Sequence, residues 1–280
     1  MADRPTGGPE ALTAALRDLL ADPSRHPVLV ALDFDGTLAP LQDDPQASRI
    51  LPEAVTALRS LAGRPDVLRL ALLSGRSMAD LHALAEVPPG TALIGSHGAE
   101  RARVAAQGLD RDAIALTDEQ AGRLARLADE LTALARDRDG VWVESKPAAA
   151  VLHTRRADPA TAAEVERAAL AVGDRLGSKV LHGKKVVEVS VLESDKGAAL
   201  LALRDELGAG AVVCAGDDVT DEHAFEALGP DDVTVKIGDG ATHARFRVPD
   251  PDAFAALLTD LAAALAVAPA DPAPGTPPRA

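Results

Sequence analysis

Two carboxylates stand two residues apart at the end of an apolar run, Val28-Leu29-Val30-Ala31-Leu32-Asp33-Phe34-Asp35, and a Gly36-Thr37-Leu38 turn follows. A run of this length, ended by a turn signal, reads as a buried strand that delivers acids to the edge of a sheet. In open parallel sheets the ligand crevice lies beyond the carboxyl ends of the strands, so Asp33 and Asp35 are site candidates by position alone. They share one side of an extended chain, or converge where it bends at Gly36. Like charges held that close repel unless a cation sits between them, which implies a hard, oxygen-ligated ion, Mg2+ before others. The plainer alternative is an aspartate turn that only ends the strand.

Three further segments place chemistry at similar points. Val67-Leu68-Arg69-Leu70-Ala71-Leu72-Leu73 is a second strand and ends in Ser74-Gly75-Arg76. A hydroxyl beside the N–H groups of a starting helix makes an anion site, or else a simple helix cap. Lys196, in Ser194-Asp195-Lys196-Gly197, opens a helix, where the helix end already carries partial positive charge. A lysine there makes sense with an anion in front of it; an ordinary surface lysine is the alternative. Ala211-Val212-Val213-Cys214-Ala215 is another buried strand, ending in Gly216-Asp217-Asp218-Val219-Thr220-Asp221-Glu222, a second group of carboxylates at a strand end. Together these supply a carboxylate nucleophile, metal ligands, a hydroxyl and a cation, the set that phosphoryl transfer requires. In Gly95-Ser96-His97-Gly98-Ala99-Glu100, Glu100 is within reach of a ligand hydroxyl, whereas His97 reads first as part of a capped turn.

The elements that must hold these residues alternate strand and helix, except in one stretch. A helix over 9–21 precedes the first strand, Pro52 opens a helix to about Ala62, and Thr91–Ile94 is a third strand. From about residue 104 to 190 the pattern becomes helix (118–138), strand (141–146), strand (149–155), helix (159–176), strand (179–183), strand (186–191). Paired strands with short turns and two helices predict one antiparallel sheet with helices on one face. The α/β alternation then returns, with a strand over 233–238, a short one near 246–248 and a closing helix over 252–266. The expected architecture is an α/β core with a mainly parallel sheet, residues 1–105 and 190–268, an inserted α+β domain over 106–189, and a disordered Pro/Ala-rich tail over 269–280. The insert carries Glu144 and Lys146 on one strand face, His153 and Arg155 on the next strand, and Lys184 and Glu188 near the last. These are a solvated face, or residues on a mobile lid that reads a substrate.

Composition narrows the partners. The 280 residues carry a net charge of −14, which argues against nucleic acid and anionic membrane, and 47% are hydrophobic, enough for a sizeable core. A single cysteine, Cys214, rules out an intrachain disulfide framework, and it reads as a small core residue. No leader-like apolar segment stands at the start and no apolar run approaches membrane-spanning length, so a cytoplasmic, monomeric protein acting on a small molecule is expected. With 2% aromatics and no tyrosine, a sugar would have to be held by hydrogen bonds rather than stacking.

The succession Asp33-Phe34-Asp35-Gly36-Thr37, Ser74-Gly75-Arg76, Lys196, Gly216-Asp217-Asp218 resembles the four motifs of the haloacid dehalogenase superfamily, with its Rossmann-like core. Within it, Gly95–Glu100, Glu144-Ser145-Lys146, His153-Thr154-Arg155, Gly183–Glu188, Asp195-Lys196-Gly197 and Gly216–Glu222 resemble the trehalose-6-phosphate phosphatase family, over about residues 28 to 250. Phe34 stands where many relatives have tyrosine, a conservative departure. The resemblance implies an Mg2+-dependent phosphatase in which Asp33 forms an aspartyl phosphate and Asp35 acts as general acid and base. It implies Mg2+ ligation by Asp33, the Asp35 carbonyl and Asp217, with Asp218 and Asp221 in or near the shell, and a phosphoryl group held by Thr37, Ser74 and Lys196. The insert would be a cap whose Glu144, Lys146, Arg155, Lys184 and Glu188 grip glucose hydroxyls, with Glu100 a further candidate. Other readings are a capped phosphatase for sucrose phosphate or a mannosyl phosphate, a phosphosugar mutase, or a regulatory domain that has lost the chemistry.

Overall fold

In the computed structural model, which describes residues 7–112, 116–177, 179–192 and 195–267, the first strand is buried at every position. The chain runs α1 (Pro9–Ala21), β1 (Val28–Asp33), α2 (Pro52–Leu61), β2 (Leu68–Leu73), α3 (Met78–Leu84), β3 (Ala92–Gly95), β4 (Glu100–Val104) and β5 (Leu109–Arg111). It continues through α4 (Asp118–Ala135), β6 (Trp142–Lys146), β7 (Ala149–His153), α5 (Pro159–Leu176), β8 (Lys179–Gly183) and β9 (Val186–Ser190). It then runs through α6 (Lys196–Leu207), β10 (Ala211–Gly216), α7 (Val219–Ala227), β11 (Val233–Ile237), β12 (Phe246–Val248) and α8 (Pro251–Val267). Ser194 and the tail expected to be disordered lie outside the described residues.

Among the described residues the strands form two sheets. The larger has the order β12-β11-β10-β1-β2-β3-β4-β5, parallel through its first six members and antiparallel at β4 and β5. Alternate residues of β1 serve different cores. Val28, Val30 and Leu32 join the cluster that includes Leu12, Leu16, Leu58, Leu61, Phe254 and Leu258, from α1, α2 and α8. Leu29 and Ala31 pack with Leu200, Leu203 and Phe225, from α6 and α7. A strand covered on both faces has no place for a polar side chain before its end, so the apolar run stops at Asp33. The large sheet also extends past residue 106, where the sequence reading begins the insert, because Leu109–Arg111 pairs antiparallel with β4.

The second sheet, β6-β7-β9-β8, is antiparallel throughout. Its alternation is legible residue by residue. Ala150, Leu152, Val187 and Val189 point to a separate core with Leu127 and Leu131 of α4 and Val165 and Ala169 of α5. The opposite face carries Trp142, Glu144, Lys146, His153 and Glu188. The two helices start on side-chain caps: Thr117 and Gln120 form a capping box on α4, and Asp158 accepts the Ala160 and Thr161 N–H groups ahead of α5, with Pro159 at its first turn.

Candidate active site

The sheet order puts the candidate residues together. β1 lies between β2 and β10, with Asp33 level with Leu73 and Leu32 with Ala215, so residues just past the ends of three adjacent strands share one crevice. Lys196, at the first turn of α6, enters from the side. It is 2% exposed, and its Nζ donates to Asp33 Oδ1 at 2.6 Å and Asp221 Oδ1 at 2.8 Å. Burial disfavours its charge, but the Asp33 and Asp221 carboxylates outweigh that and raise its pKa. The ammonium is thus fixed in its charged form. Burial also raises the Asp33 carboxyl, against the pull of Lys196, and the neighbouring acids Asp221 and Asp217 add to the rise.

The turn after β1 is shaped by Gly36. Its N–H donates to Ala39 O at 2.7 Å, and its φ is +77°, a left-handed conformation that favours glycine. A Cβ there would lie 2.0 Å from the Asp217 carboxylate, so glycine lets that acid close on the turn. Oxygens of Asp33, Asp217 and Asp221 come within 4.8 Å of one another, a grouping able to hold a hard divalent cation. Burial first, then Asp221 and Asp218, push Asp217 up to about 6. Asp221 and Asp218 also have structural duties. Asp221 Oδ2 accepts the N–H groups of Asp217 and Asp218 at 3.0 and 3.1 Å, while Asp218 Oδ1 caps α7 through the Thr220 and Asp221 N–H groups.

Asp35 is held differently. Both its oxygens are taken by Arg76, Nε to Oδ2 at 2.6 Å and one terminal nitrogen to Oδ1 at 2.7 Å. The same guanidinium donates to Pro45 O at 2.7 Å and Ser48 Oγ at 3.1 Å, and lies 5.2 Å from the Phe34 ring centroid. The sequence reading gave Arg76 no role. Ser74 is buried at the end of β2, with its Oγ accepting the Arg76 N–H at 3.1 Å. Thr37 is fully buried, and its Oγ1 has no partner among the described residues. Lys236, also missed, is buried on β11, donates to the Asp217 carbonyl and lies 3.6 Å from Glu222.

A cleft of about 550 Å³ opens above these groups, lined by Asp33, Asp35, Ser74, Arg76, His97, Lys196 and Asp218 on the large-sheet side. Glu144, His153, Arg155 and Trp142 line it from the insert, and residues 41–48 contribute Leu41, Asp44 and Gln46. Glu144 Oε2 is 2.9 Å from His153 Nε2, and Lys146 Nζ donates to Glu188 at 2.7 Å beside this wall without lining it. Lys184 is exposed in the β8–β9 turn, away from the cleft lining. Glu100 departs from expectation. It is buried, and its Oε2 accepts the Met78 N–H at 2.9 Å and the Ser96 hydroxyl at 2.6 Å, so it braces the turn rather than facing a ligand. His97, read as part of a turn, does sit in one (φ +53°), yet its ring reaches the cleft. A Cβ at Gly75 would lie 2.4 Å from that ring. Burial first, then the charges of Lys196 and Lys146, lower the His97 pKa to about 4, so the imidazole is neutral at pH 7.

Comparison with known proteins agrees with this geometry. The family model for trehalose-phosphatase matches residues 31–252. A trehalose-phosphate phosphatase of Mycobacterium marinum is 35% identical over 251 residues, 84% of this chain and 62% of that protein. One of Mycobacterium avium is 38% identical over 242 residues, 81% of this chain and 60% of that protein. The chain thus spans about three fifths of the length of these curated relatives. A solved trehalose-6-phosphate phosphatase of Aspergillus fumigatus superposes with a TM-score of 0.64 at 26% identity, over 90% of this chain and 97% of that one. With a family match that spans residues 31–252, most of the chain and strands of both sheets, the chain belongs to the trehalose-phosphatase family.

Proposed function

We propose that this chain hydrolyses trehalose 6-phosphate to trehalose and inorganic phosphate, with Mg2+ as its cofactor and Asp33 as its nucleophile. The observation that carries the reading is the buried Lys196 bridging Asp33 and Asp221 at the floor of a cleft whose far wall bears Glu144, His153 and Arg155. The donor set fits a hard cation: three clustered carboxylates outnumber the one ammonium among them. Mg2+ would be held by Asp33, Asp217 and the Asp35 carbonyl, with Asp221 and Asp218 close by, and when bound it would neutralise charge on the phosphoryl oxygens.

The chain's own residues do the rest. An Asp33 oxygen attacks phosphorus in line; the Asp33 O–P bond forms as the bond from phosphorus to the sugar oxygen breaks. Lys196, Ser74 and the unpartnered Thr37 hydroxyl hold phosphoryl oxygens. Asp35 gives its proton to the departing sugar oxygen, then takes one from the water that attacks the aspartyl phosphate and frees Asp33. For this Asp35 has to leave the grip of Arg76. The insert acts as a cap over the cleft, with Glu144 and Arg155 meeting sugar hydroxyls and the Lys146–Glu188 pair beside them. The setting is cytoplasmic and monomeric, without nucleic acid or membrane partners. No helix among the described residues is long and apolar enough to cross a membrane.

The test is phosphate release from trehalose 6-phosphate, sucrose 6-phosphate, glucose 6-phosphate and 4-nitrophenyl phosphate, each with Mg2+ and with chelator. Metal-dependent preference for trehalose 6-phosphate is expected, and Asp33→Asn should lower its turnover by at least about a thousandfold with the fold intact by circular dichroism. Preference for another sugar phosphate would overturn the substrate while keeping the core chemistry.

A further inference from the structure

The chain has one tryptophan and no tyrosine, and that tryptophan lines the cleft. Trp142 is 38% exposed at the start of the edge strand β6, on the same sheet face as Glu144. It is firmly braced. Its ring stacks on that of His153 with centroids 4.7 Å apart and planes at 7°, Glu144 Oε2 lies 2.9 Å from His153 Nε2, and the Arg156 guanidinium lies 5.5 Å from the indole centroid. Leu41, 71% exposed on the segment after β1, lines the same cleft. Only three large apolar side chains are exposed among the described residues, and two of them share this cleft. Apolar surface kept in water at the rim of a polar site calls for an occupant with an apolar face.

We propose that Trp142 is the platform for the sugar ring farther from the phosphate, and that Leu41 approaches the same ring. The inference rests on the sugar-phosphate reading above. A pyranose has hydroxyls around its rim and C–H groups across its faces; the rim suits Glu144 and Arg155, and the C–H groups suit an indole, whose ring surface is apolar and weakly negative. Because the stack with His153 already fixes the indole, the ring gains contact with little loss of side-chain freedom on binding. Sugar selectivity therefore has an apolar component beside the hydrogen bonds.

The single tryptophan makes the test direct. Titrating the intact protein with trehalose should give a saturable change in intrinsic fluorescence, and glucose at equal concentration a much smaller one. Trp142→Ala should lower the ratio of kcat/KM for trehalose 6-phosphate over glucose 6-phosphate about tenfold, mainly through KM, because the second ring loses its support. Trp142→Phe, which keeps a flat apolar ring, should restore the ratio to within about threefold of the parent. Turnover of trehalose 6-phosphate with unmoved fluorescence and an unchanged ratio in Trp142→Ala would overturn the platform alone. Turnover of 4-nitrophenyl phosphate without any of trehalose 6-phosphate would overturn the substrate reading, and this inference with it. If Trp142→Ala fails to fold, the fluorescence titration and Trp142→Phe decide.

Discussion

In the proposed mechanism Arg76 sets the condition under which Asp35 can work. Both Asp35 oxygens are occupied by one guanidinium, and a general acid has to turn one of those oxygens toward the leaving group. The pair is part-buried at the edge of the cleft; an arriving substrate has to shift Arg76 or turn Asp35. Because the guanidinium also ties Pro45 and Ser48, whatever moves the 45–48 segment moves the acid. Arg76→Lys keeps the charge and loses the two-pronged grip. It should lower kcat for sugar phosphate on the order of tenfold to a hundredfold, and lower it much less for 4-nitrophenyl phosphate, whose leaving group departs without a proton. Steady-state kinetics on both substrates checks this; equal losses would mean that Arg76 holds the turn, not the acid. None of it was legible beforehand. Ser-Gly-Arg reads locally as a helix start, and the partner lies 41 residues away. The acids, the serine and the lysine were legible because each interrupts an apolar run or a helix start in a way that packing alone does not explain. Glu100 interrupted its segment too, but its partners Met78 and Ser96 turn it into a brace.

At the level of elements, the site is an agreement among β1, β2, β10 and the first turn of α6, and Gly36 is where the turn after β1 meets Asp217, just past the end of β10. Gly36→Ala adds a Cβ that meets the Asp217 carboxylate at 2.0 Å on a backbone with φ +77°. Asp217 must then withdraw, so Mg2+ affinity measured by calorimetry should fall at least about tenfold, with a loss of stability of roughly 1–3 kcal/mol in denaturant melts. Unchanged Mg2+ binding would show that Asp217 is not a ligand. The parallel strands were readable from their continuous apolar runs, and the insert's sheet from its change to alternation. β5 was not: Leu109-Asp110-Arg111 is too short and polar to signal a strand and is one only because β4 offers it an edge. The same limit applies to which insert residues reach the cleft. Spacing puts Glu144 and Lys146 on one strand face, but only the packed sheets show that Glu144 lines the cleft while Lys146 turns to Glu188.

Across the whole molecule, the clustered acids at the cleft couple stability to pH. Asp217 titrates near 3.8 when unfolded and at about 6 in the fold, so between those values the native state holds more protons and stability falls as pH rises. Above about 6 the native state carries the full penalty of the ionised acid, which a divalent cation bound beside it would relieve. Millimolar Mg2+ should therefore raise the melting temperature more at pH 7.5 than at pH 5, as read by differential scanning fluorimetry. An equal gain at both would place the ion elsewhere. Composition anticipated a hydrogen-bonded sugar from the scarcity of aromatics, but an average cannot say where a lone tryptophan stands. The long interval between Asp33 and Lys196, 163 residues, has a consequence for synthesis. Strand β1 gains β2 early on one edge, but its other edge waits for β10, with the entire insert to be translated first. At roughly 5–20 residues per second that wait lasts on the order of ten seconds or more, during which an apolar strand edge stands bare on the ribosome. A chain that stalls inside the insert is thus without its lysine and adhesive, and it stays adhesive until β10, which follows α6, has been made.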